Sequence, residues 1–248
     1  MKVNFPTRYN VEYPIKNKKF YNWNNQHEIK KVLTKSSKEY CMYCGNRIVI
    51  NNKNFGQLEH SVDKTQNSKE IKYLEHCKFN IAIACSICNT SLKKETLSIS
   101  SIKDGHVCSN QCEEVCSTYR ENMVEYINKN HIIIMPNGVV GEETSELYGI
   151  EYDLLRMRFH ASENNKYNEN DKCIIENHIS RFKMNCEQYM PLDVIKVCEF
   201  VVKYGDIPEK NMFNNIMAEI FIDFLNHNCK DEKAVMKVCE LIIIMATL

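Results

Sequence analysis

The sequence predicts an α+β protein in which a small unit of two strands and a helix, closed by cysteines, lies within a mainly helical chain. Two CxxC pairs, Cys41 with Cys44 and Cys85 with Cys88, enclose short β-branched runs that are separated by turn-forming residues. Beyond residue 172, apolar residues recur instead at the spacing of amphipathic helices. With 248 residues, of which 44% are hydrophobic, the chain is long enough to bury a substantial core.

The elements of the first half follow from local patterns. Residues up to Thr7 show no pattern, and the polar stretch from Asn22 to Asn25 predicts the start of a helix over residues 26–36. A β run at 48–50 and a return strand at 57–62 predict a hairpin across the turn-rich segment NNKNFG. Residues 67–78 are predicted as loop with some helix, and the segment 81–84 leads into a helix that begins at Cys85 or Ser86 and runs to about Glu95.

The second half is predicted to be mostly helical. A helix over 111–128 precedes a second hairpin around Pro136, Asn137 and Gly138, and further helices are expected at about 145–162, 172–185, 192–203, 212–226 and 232–245. The last apolar run, 241–248, is too short to span a bilayer and is expected to be a helix end buried in the core. Three segments result: an N-terminal arm and helix (1–38), the cysteine-closed unit (39–96) and a mainly helical region (97–248).

Charge and cysteine content restrict the classes of function. Lys and Arg number 32, as do Asp and Glu, so a nucleic-acid ligand would need a local basic patch or a partner protein. Without a secretory signal or a membrane span, the expected location is the cytoplasm, with no membrane partner. There, clustered cysteines indicate metal and scattered ones indicate packing, as expected for Cys173, Cys186, Cys198, Cys229 and Cys239.

Cys41, Cys44, Cys85 and Cys88 are the predicted ligands of a structural zinc ion. Four thiolates close a tetrahedral site, and both pairs have the CxxC spacing with turn-forming neighbours. The gap between the pairs is longer than in a simple zinc ribbon, which leaves room for a second function in the insertion. The alternative is that these are four unrelated cysteines.

Glu59, His60 and Asn89 carry a different chemistry. Oxygen atoms of Glu59 and Asn89 suit Mg²⁺ or Mn²⁺, and His60, with an ordinary pKa, could take a proton from water at neutral pH. A Glu-His pair by itself is commonly a surface or packed histidine, but its position between the CxxC pairs favours a functional site. A zinc-stabilised module that binds nucleic acid or protein without catalysis is the alternative.

These residues resemble the HNH endonucleases of the His-Me finger superfamily, in the subgroup whose ββα-metal finger is held by four cysteines. The resemblance rests on Cys41-x2-Cys44, Glu59-His60, Asn80 and the CxxCN motif that ends at Asn89, and covers roughly residues 39–95. It implies a phosphodiester hydrolase that cleaves DNA or, less typically, RNA. It also implies that His60 is the general base, that Glu59 and Asn89 bind the catalytic Mg²⁺ or Mn²⁺, and that Asn80 braces the finger loop.

Two departures from the family pattern and one wider similarity accompany this resemblance. Asp63 stands where Pro is usual, and Leu92 stands where Lys is usual, with Lys93 just beyond. The N-terminal helix, the CxYC finger and the segment TSELYGIEYDLLRMRFHA are similar to the HNH subunits of bacterial antiphage systems of the Septu and retron-associated kinds. That similarity implies an ABC-type ATPase partner, which could bind and present the substrate to a nuclease whose own net charge is zero.

Two further clusters have alternative interpretations. His106, Cys108, Cys112 and Cys116 could bind a second metal ion, but regular spacing of the cysteines favours one face of a helix packed in the core. Near the N-terminus, aromatic residues alternate with basic ones, a pattern that could serve base stacking, partner docking or plain packing. This arm comprises Arg8, Tyr9, Tyr13, Lys16, Lys18, Lys19, Phe20, Tyr21 and Trp23.

Overall fold

The computed structural model describes residues 1–15, 18–94, 96–103, 105–164, 166–186 and 192–247, and shows a mixed α+β protein. Lys16, Glu95 and Leu248, which were included in the predictions above, lie outside the described residues. The strands are β1 (Lys2–Phe5), β2 (Val49–Ile50), β3 (Lys53–Asn54), β4 (Gln57–His60), β5 (Thr65–Gln66), β6 (Lys69–Glu70), β7 (Ile81–Ala84), β8 (Ile150–Asp153) and β9 (Arg158–Ala161). The helices are α1 (Gln26–Ser36), α2 (Lys72–His76), α3 (Ser117–Asn130), α4 (Glu169–Arg181), α5 (Asp193–Tyr204), α6 (Ile216–Asn228) and α7 (Glu232–Thr247).

Strands β4 and β7 form the antiparallel pair that carries the candidate site, with Glu59 opposite Ala82 and His60 opposite Ile81. All four residues of β7 are buried, as expected for a wholly apolar IAIA run. The predicted strand at 57–62 is confirmed over β4, but its predicted partner is wrong. β2 pairs with β3 instead, because Asn51 and Asn52 adopt left-handed backbone angles and reverse the chain within two residues.

The segment between β4 and β7 is more ordered than predicted. β5 and β6 form a small hairpin whose turn residues, Asn67 and Ser68, also have positive φ angles. The helix α2 and a short 3₁₀ turn at Lys78–Asn80 then return the chain to β7. The predicted loop with some helix is therefore only partly right.

A three-stranded sheet in the order β1-β8-β9 replaces the helix predicted at 145–162. Ile150, Tyr152 and Phe159 are buried on this sheet, so the apolar positions alternate as in strands and the helical interpretation was wrong. β1, at the unpatterned N-terminus, pairs with β8, with Lys2 opposite Asp153. A strand whose partner lies about 150 residues away leaves little local signal.

The second predicted hairpin is also absent. Residues 131–149, all of them described, contain turns at 135–137 and 142–144 and an isolated bridge between Val140 and Leu147, but no strand. Ile132 to Met135 are fully buried in the core outside any strand, so their apolar character reflects burial on all sides rather than a half-exposed strand.

Helices α4 to α7 confirm the remaining helical predictions within a few residues, and α1 confirms its prediction fully. α3 begins at Ser117 rather than at 111. The end of α7 departs from expectation, because Leu241, Ile244 and Met245 are substantially exposed while Ile242 is buried. Within the described part of the chain, no helix has the length and apolar content that crossing a membrane requires.

Candidate metal centre and adjoining cavity

The four cysteines of the CxxC pairs converge on one point. Their sulfur atoms all lie within 4.8 Å of one another, and Sγ of Cys44 is 3.8 Å from Sγ of Cys85. Tetrahedral zinc with Zn–S bonds of about 2.3 Å places its sulfur ligands about 3.8 Å apart. The cluster therefore has the donor set and the spacing to hold a metal ion such as zinc.

Backbone hydrogen bonds position the first pair against the second. Met42 N donates to Ile83 O at 3.1 Å, and β7 leads directly to Cys85. The turn after the first pair closes through Gly45, whose N donates to Cys41 O at 2.9 Å. Gly45 has a φ of +72°, and a Cβ there would lie 2.6 Å from Cγ2 of Ile216, so this turn requires glycine.

The thiols of the cluster are electrostatically unequal. Hydrogen bonds from Cys41, Cys44 and Cys88 lower the pKa of Cys85. The same contacts with Cys41 and the other thiols raise the pKa of Cys88. Binding of zinc to such a cluster would release the remaining protons, which makes affinity dependent on pH.

A helical segment at residues 86–92 follows β7, and Cys88 lies within it. Its last turn, Cys88–Leu92, has π-type hydrogen bonding. Glu59, His60 and Asn89 line one cavity of about 340 Å³, together with Asp63, Lys64, Thr65, Lys93, Lys94, Thr96 and Ser98. Glu59 and His60 are neighbours on a strand, and both can reach the cavity because β4 ends at His60.

Glu59 is held by two partners in this structure. Tyr43 donates its hydroxyl to Oε2 at 2.6 Å, and the Lys93 ammonium forms an ion pair with Oε1. The side chains of Glu59 and Lys93 are 2% and 4% exposed, so this is a buried ion pair. Burial raises the pKa of Glu59, while the charge and hydrogen bonds of Lys93 and Tyr43 oppose that rise.

Lys93 also contacts the main-chain oxygen of His60 and lies 3.4 Å from Asp63 Oδ1. Three oxygen groups therefore surround one ammonium. In the sequence, Lys93 is only a basic residue beyond the motif. Its position depends on the π-type turn, in which Lys93 N donates to Cys88 O at 3.2 Å, and no residue pattern indicates that turn.

His60 is half-buried and oriented by its surroundings. Its Nε2 lies 3.1 Å from the main-chain oxygen of Glu75, and the Tyr21 ring packs edge-on with centroids 4.3 Å apart. A carbonyl oxygen can only accept, so Nε2 carries the proton and Nδ1 holds the lone pair. Burial lowers the pKa of His60 to about 4, which corrects the expectation of an ordinary value. The imidazole is thus neutral at pH 7.

Asn80 and Asn89 have different surroundings. Asn80 is fully buried: its Oδ1 accepts from Val62 N at 2.7 Å, and its Nδ2 donates to Val62 O and Leu74 O. These hydrogen bonds connect Val62, which follows β4, to Leu74 of α2. Asn89 is half-buried, and its Nδ2 donates to Gln57 Oε1 at 2.9 Å, so its own amide oxygen is the atom that could serve a metal ion.

A second cavity of about 690 Å³ shares Asn89 with the first. Part of the N-terminal arm lines it, together with Gln26, His27, Lys30, Gly56, Gln57 and Leu58. The arm contributes Tyr21 and Trp23, and Trp23 is 87% exposed. By contrast, Phe20 is fully buried, so the aromatic residues of the arm divide between packing and an exposed face.

Comparisons with known proteins leave the family of the chain open. No protein-family model matches the sequence, and neither a curated protein nor a solved structure matches it. The similarity to HNH endonucleases therefore rests on the motif residues themselves.

Proposed function

We propose that the chain is a metal-dependent endonuclease of the HNH type that hydrolyses phosphodiester bonds in nucleic acid, with DNA favoured over RNA. One observation carries the proposal. A neutral histidine, a carboxylate and an amide oxygen, supplied by His60, Glu59 and Asn89, line a single cavity beside a four-cysteine cluster. A module that only binds has no need for a base next to two oxygen donors.

His60 is the proposed general base. Its Nδ1 lone pair would take the proton of the attacking water, and the Glu75 carbonyl keeps the ring in the required tautomer. Because the pKa lies near 4, the base is already unprotonated at pH 7. A base with a low pKa has less driving force to take a proton. Part of the rate of cleavage must therefore come from positioning of the attacking water beside His60.

Glu59 and Asn89 are the residues that would hold Mg²⁺ or Mn²⁺. Such an ion, when bound, stabilises the negative charge that develops on a scissile phosphate. Both oxygens of Glu59 are engaged by Tyr43 and Lys93, so the carboxylate fits an ion only after Lys93 withdraws. Lys64 and Lys94 also line the cavity, and either could meet phosphate oxygens there.

The proposal includes a protein partner and a cytoplasmic setting. The net formal charge of zero gives little general attraction for nucleic acid, so a partner such as an ABC-type ATPase of an antiphage complex would present the substrate. All thirteen cysteines lie in the described residues and are free, which suits a reducing compartment.

A second candidate function is a zinc-stabilised binding module without catalysis. The buried Glu59–Lys93 pair favours it, because a paired carboxylate and ammonium can be purely structural. Under this interpretation the exposed Trp23 and neighbouring Lys30 of the larger cavity would contact a nucleic acid or a partner.

A cleavage assay separates the two functions. The chain, alone and with the protein that co-purifies from its native operon, would be incubated with plasmid DNA and labelled RNA in Mg²⁺, Mn²⁺ or EDTA. The proposed nuclease nicks at least one substrate with a divalent ion and none in EDTA. Binding of either substrate without cleavage in any of these conditions would support the module instead.

A further inference from the structure

Three cavities adjoin one another beside helix α1, and the first of them is the candidate site. That cavity, which holds His60, shares Asn89 with the cavity of about 690 Å³. A third cavity, of about 520 Å³, shares His27 and Lys30 with the second. Tyr21 lines the second cavity and packs against His60, which is a further connection to the site. The second and third cavities, both lined by residues of α1, together form the α1 groove.

The exposed face of α1 carries positive charge along this groove. His27, Lys31 and Lys35 are exposed and follow one another at intervals of four residues, so they lie on one side of the helix. Each interval is about 6 Å along the helix axis. Within the described part of the chain, the ammonium groups of Lys31 and Lys35 have no ion-pair partner. Both groups are therefore available to an anionic ligand.

Acidic side chains do little to cancel this charge. Among the described residues that line the α1 groove, Glu39 is the single carboxylate, and one of its oxygens lies 3.5 Å from Nη1 of Arg47. Glu28, also on α1, lies 3.1 Å from Nζ of Lys18. The groove is therefore locally positive although the whole chain has no net charge. It complements a polyanion rather than a basic ligand.

Trp23 gives the groove an aromatic surface that packing does not explain. It lines the groove and is 87% exposed, whereas Phe20 of the same arm is fully buried. Tryptophan is highly buried on average, so an exposed indole beside cations indicates a ligand. Single-stranded nucleic acid is bound by this combination, in which bases stack on aromatic rings and lysines neutralise phosphates. In a duplex the base faces are already covered by neighbouring base pairs, so the ring can stack only on an unpaired base.

We propose that the α1 groove binds a single strand of nucleic acid, with a base stacked on Trp23 and phosphates beside Lys31 and Lys35. The strand would continue past Asn89 to His60. The inference rests on the proposed function, because it takes nucleic acid as the substrate. It goes further by making that substrate single-stranded next to the point of cleavage, and it supplies the local basic patch that a chain without net charge requires.

Binding is tested with the full chain at low ionic strength, without the Mg²⁺ or Mn²⁺ that the proposed cleavage needs. The probes are fluorescein-labelled oligo(dT) and oligo(U) of about 12 nucleotides, because single-strand sites span roughly 4–16 nucleotides. Fluorescence anisotropy should show tighter binding of at least one of them than of a DNA duplex of equal length. The same strand without label should quench the emission of Trp23, the one tryptophan of the chain. Binding of neither strand, or tighter binding of the duplex, would overturn the proposal.

An aromatic substitution tests the stacking contact. Trp23→Ala should weaken binding of the single strand by a factor of roughly 10, as expected for the loss of one stacked base. Tyr204→Ala is the matched control, since Tyr204 is 58% exposed but lies on α5, away from the groove-lining residues. Parental affinity in Trp23→Ala, or an equal loss in both variants, would overturn the stacking assignment and with it the proposal.

A lysine pair tests the phosphate contacts. The double variant Lys31→Gln, Lys35→Gln should make the dependence of log Kd on log salt concentration shallower by about 1.4, because each phosphate contact on a single strand contributes about 0.7. Lys233→Gln, Lys237→Gln replaces two exposed lysines of the same spacing on α7 and should leave the slope unchanged. A parental slope in the first variant, or equal changes in the two, would contradict the groove.

The groove and the nuclease can fail separately. Binding that depends on Trp23, without cleavage after Mg²⁺ or Mn²⁺ is added, would keep the groove and contradict the nuclease. Divalent-ion-dependent cleavage by the parent, retained at the parental kcat/KM by Trp23→Ala and by the Lys31, Lys35 variant, would contradict the groove and keep the nuclease.

Discussion

Lys93 is the residue whose position most changes the interpretation of the site. It neutralises Glu59 in the buried interior and contacts the backbone of His60, so one cation joins the proposed ligand to the proposed base. The sequence alone does not show that Lys93 lies beside Glu59, because that contact depends on the π-type turn at Cys88–Leu92. An α-helical projection of the same residues would place it elsewhere.

Replacing Lys93 with Met should destabilise the fold strongly, because it leaves the Glu59 carboxylate buried and unpaired. The expected loss is about 3–5 kcal/mol in the free energy of unfolding, measured by urea denaturation at pH 7. The double variant Glu59→Gln, Lys93→Met should recover much of this loss, since no buried charge remains. Equal loss in the single and double variants would show that Lys93 acts through packing alone.

His60 gives the protein a pH dependence of known sign. Its pKa is about 4 in the folded chain and near 6.5 when unfolded, so the unfolded chain binds a proton over this interval that the folded chain does not. Stability should therefore fall as pH falls from 6.5 toward 4 and be unaffected by His60 above 6.5. His178, fully buried with a pKa lowered to about 3, acts in the same direction.

Urea denaturation between pH 4.5 and 7.5 tests this expectation. His60→Gln should flatten the slope below pH 6.5, and the exposed His227→Gln should leave it unchanged. A slope that is identical in the parent and the His60 variant would contradict the burial of the imidazole. A residual slope in His60→Gln is expected, because His178 remains.

At the scale of elements, helices whose own residues show the pattern were predicted, whereas the pairing of distant strands was not. α1 was predicted to its bounds because its apolar face, with Ile29 and Leu33 fully buried, repeats at helical spacing. β4 was predicted as a return strand after the turn-rich segment NNKNFG, but its pairing with β7 depends on a connection of about 20 residues that carries its own hairpin and helix. Pairings across long connections, such as β1 with β8, leave no local pattern.

In the candidate site, the motif residues were predictable from the sequence, but their partners were not. The CxxC spacing identified all four cysteines that converge, because metal ligands impose their own spacing on the sequence. Glu59, His60 and Asn89 were identified by their motif and line one cavity. The partners that modify them, Tyr43, Lys93 and the Glu75 carbonyl, come from other elements and could not be derived from spacing.

Asn80 is the side chain on which the connection between β4 and β7 depends. Asn80→Ala removes an amide that bonds Val62 N, Val62 O, Leu74 O and the Tyr119 hydroxyl. Each orphaned buried group costs roughly 1–3 kcal/mol, so the variant should lose at least about 3 kcal/mol in chemical denaturation. Asn89→Ala, at a half-buried position with one described side-chain bond, should lose less than about 1 kcal/mol. Similar losses in the two variants would contradict the bracing role.

At the scale of the whole molecule, the cysteine-closed segment (39–96) and the C-terminal region are joined directly. Arg47 N donates to Asn214 O at 2.7 Å, and Ile216 N donates to Gly45 O at 2.8 Å. The turn that follows the first cysteine pair is therefore packed against the start of α6. Loss of zinc should consequently loosen more than residues 39–96, because the same turn supports the helical region.

Within residues 39–96, the proposed cleavage depends on His60, whereas the fold depends on the four-cysteine cluster. The most direct test compares His60→Ala with Cys44→Ser in the divalent-ion cleavage assay, with zinc content and thermal unfolding measured on the same samples. His60→Ala should keep its zinc and remain folded at neutral pH while cleavage falls by a factor of roughly 10² or more. Cys44→Ser should lose zinc and unfold at lower temperature, with cleavage lost as a consequence. Cleavage by His60→Ala at the parental rate, with His227→Ala as the matched control and contaminating nuclease excluded, would contradict the nuclease mechanism.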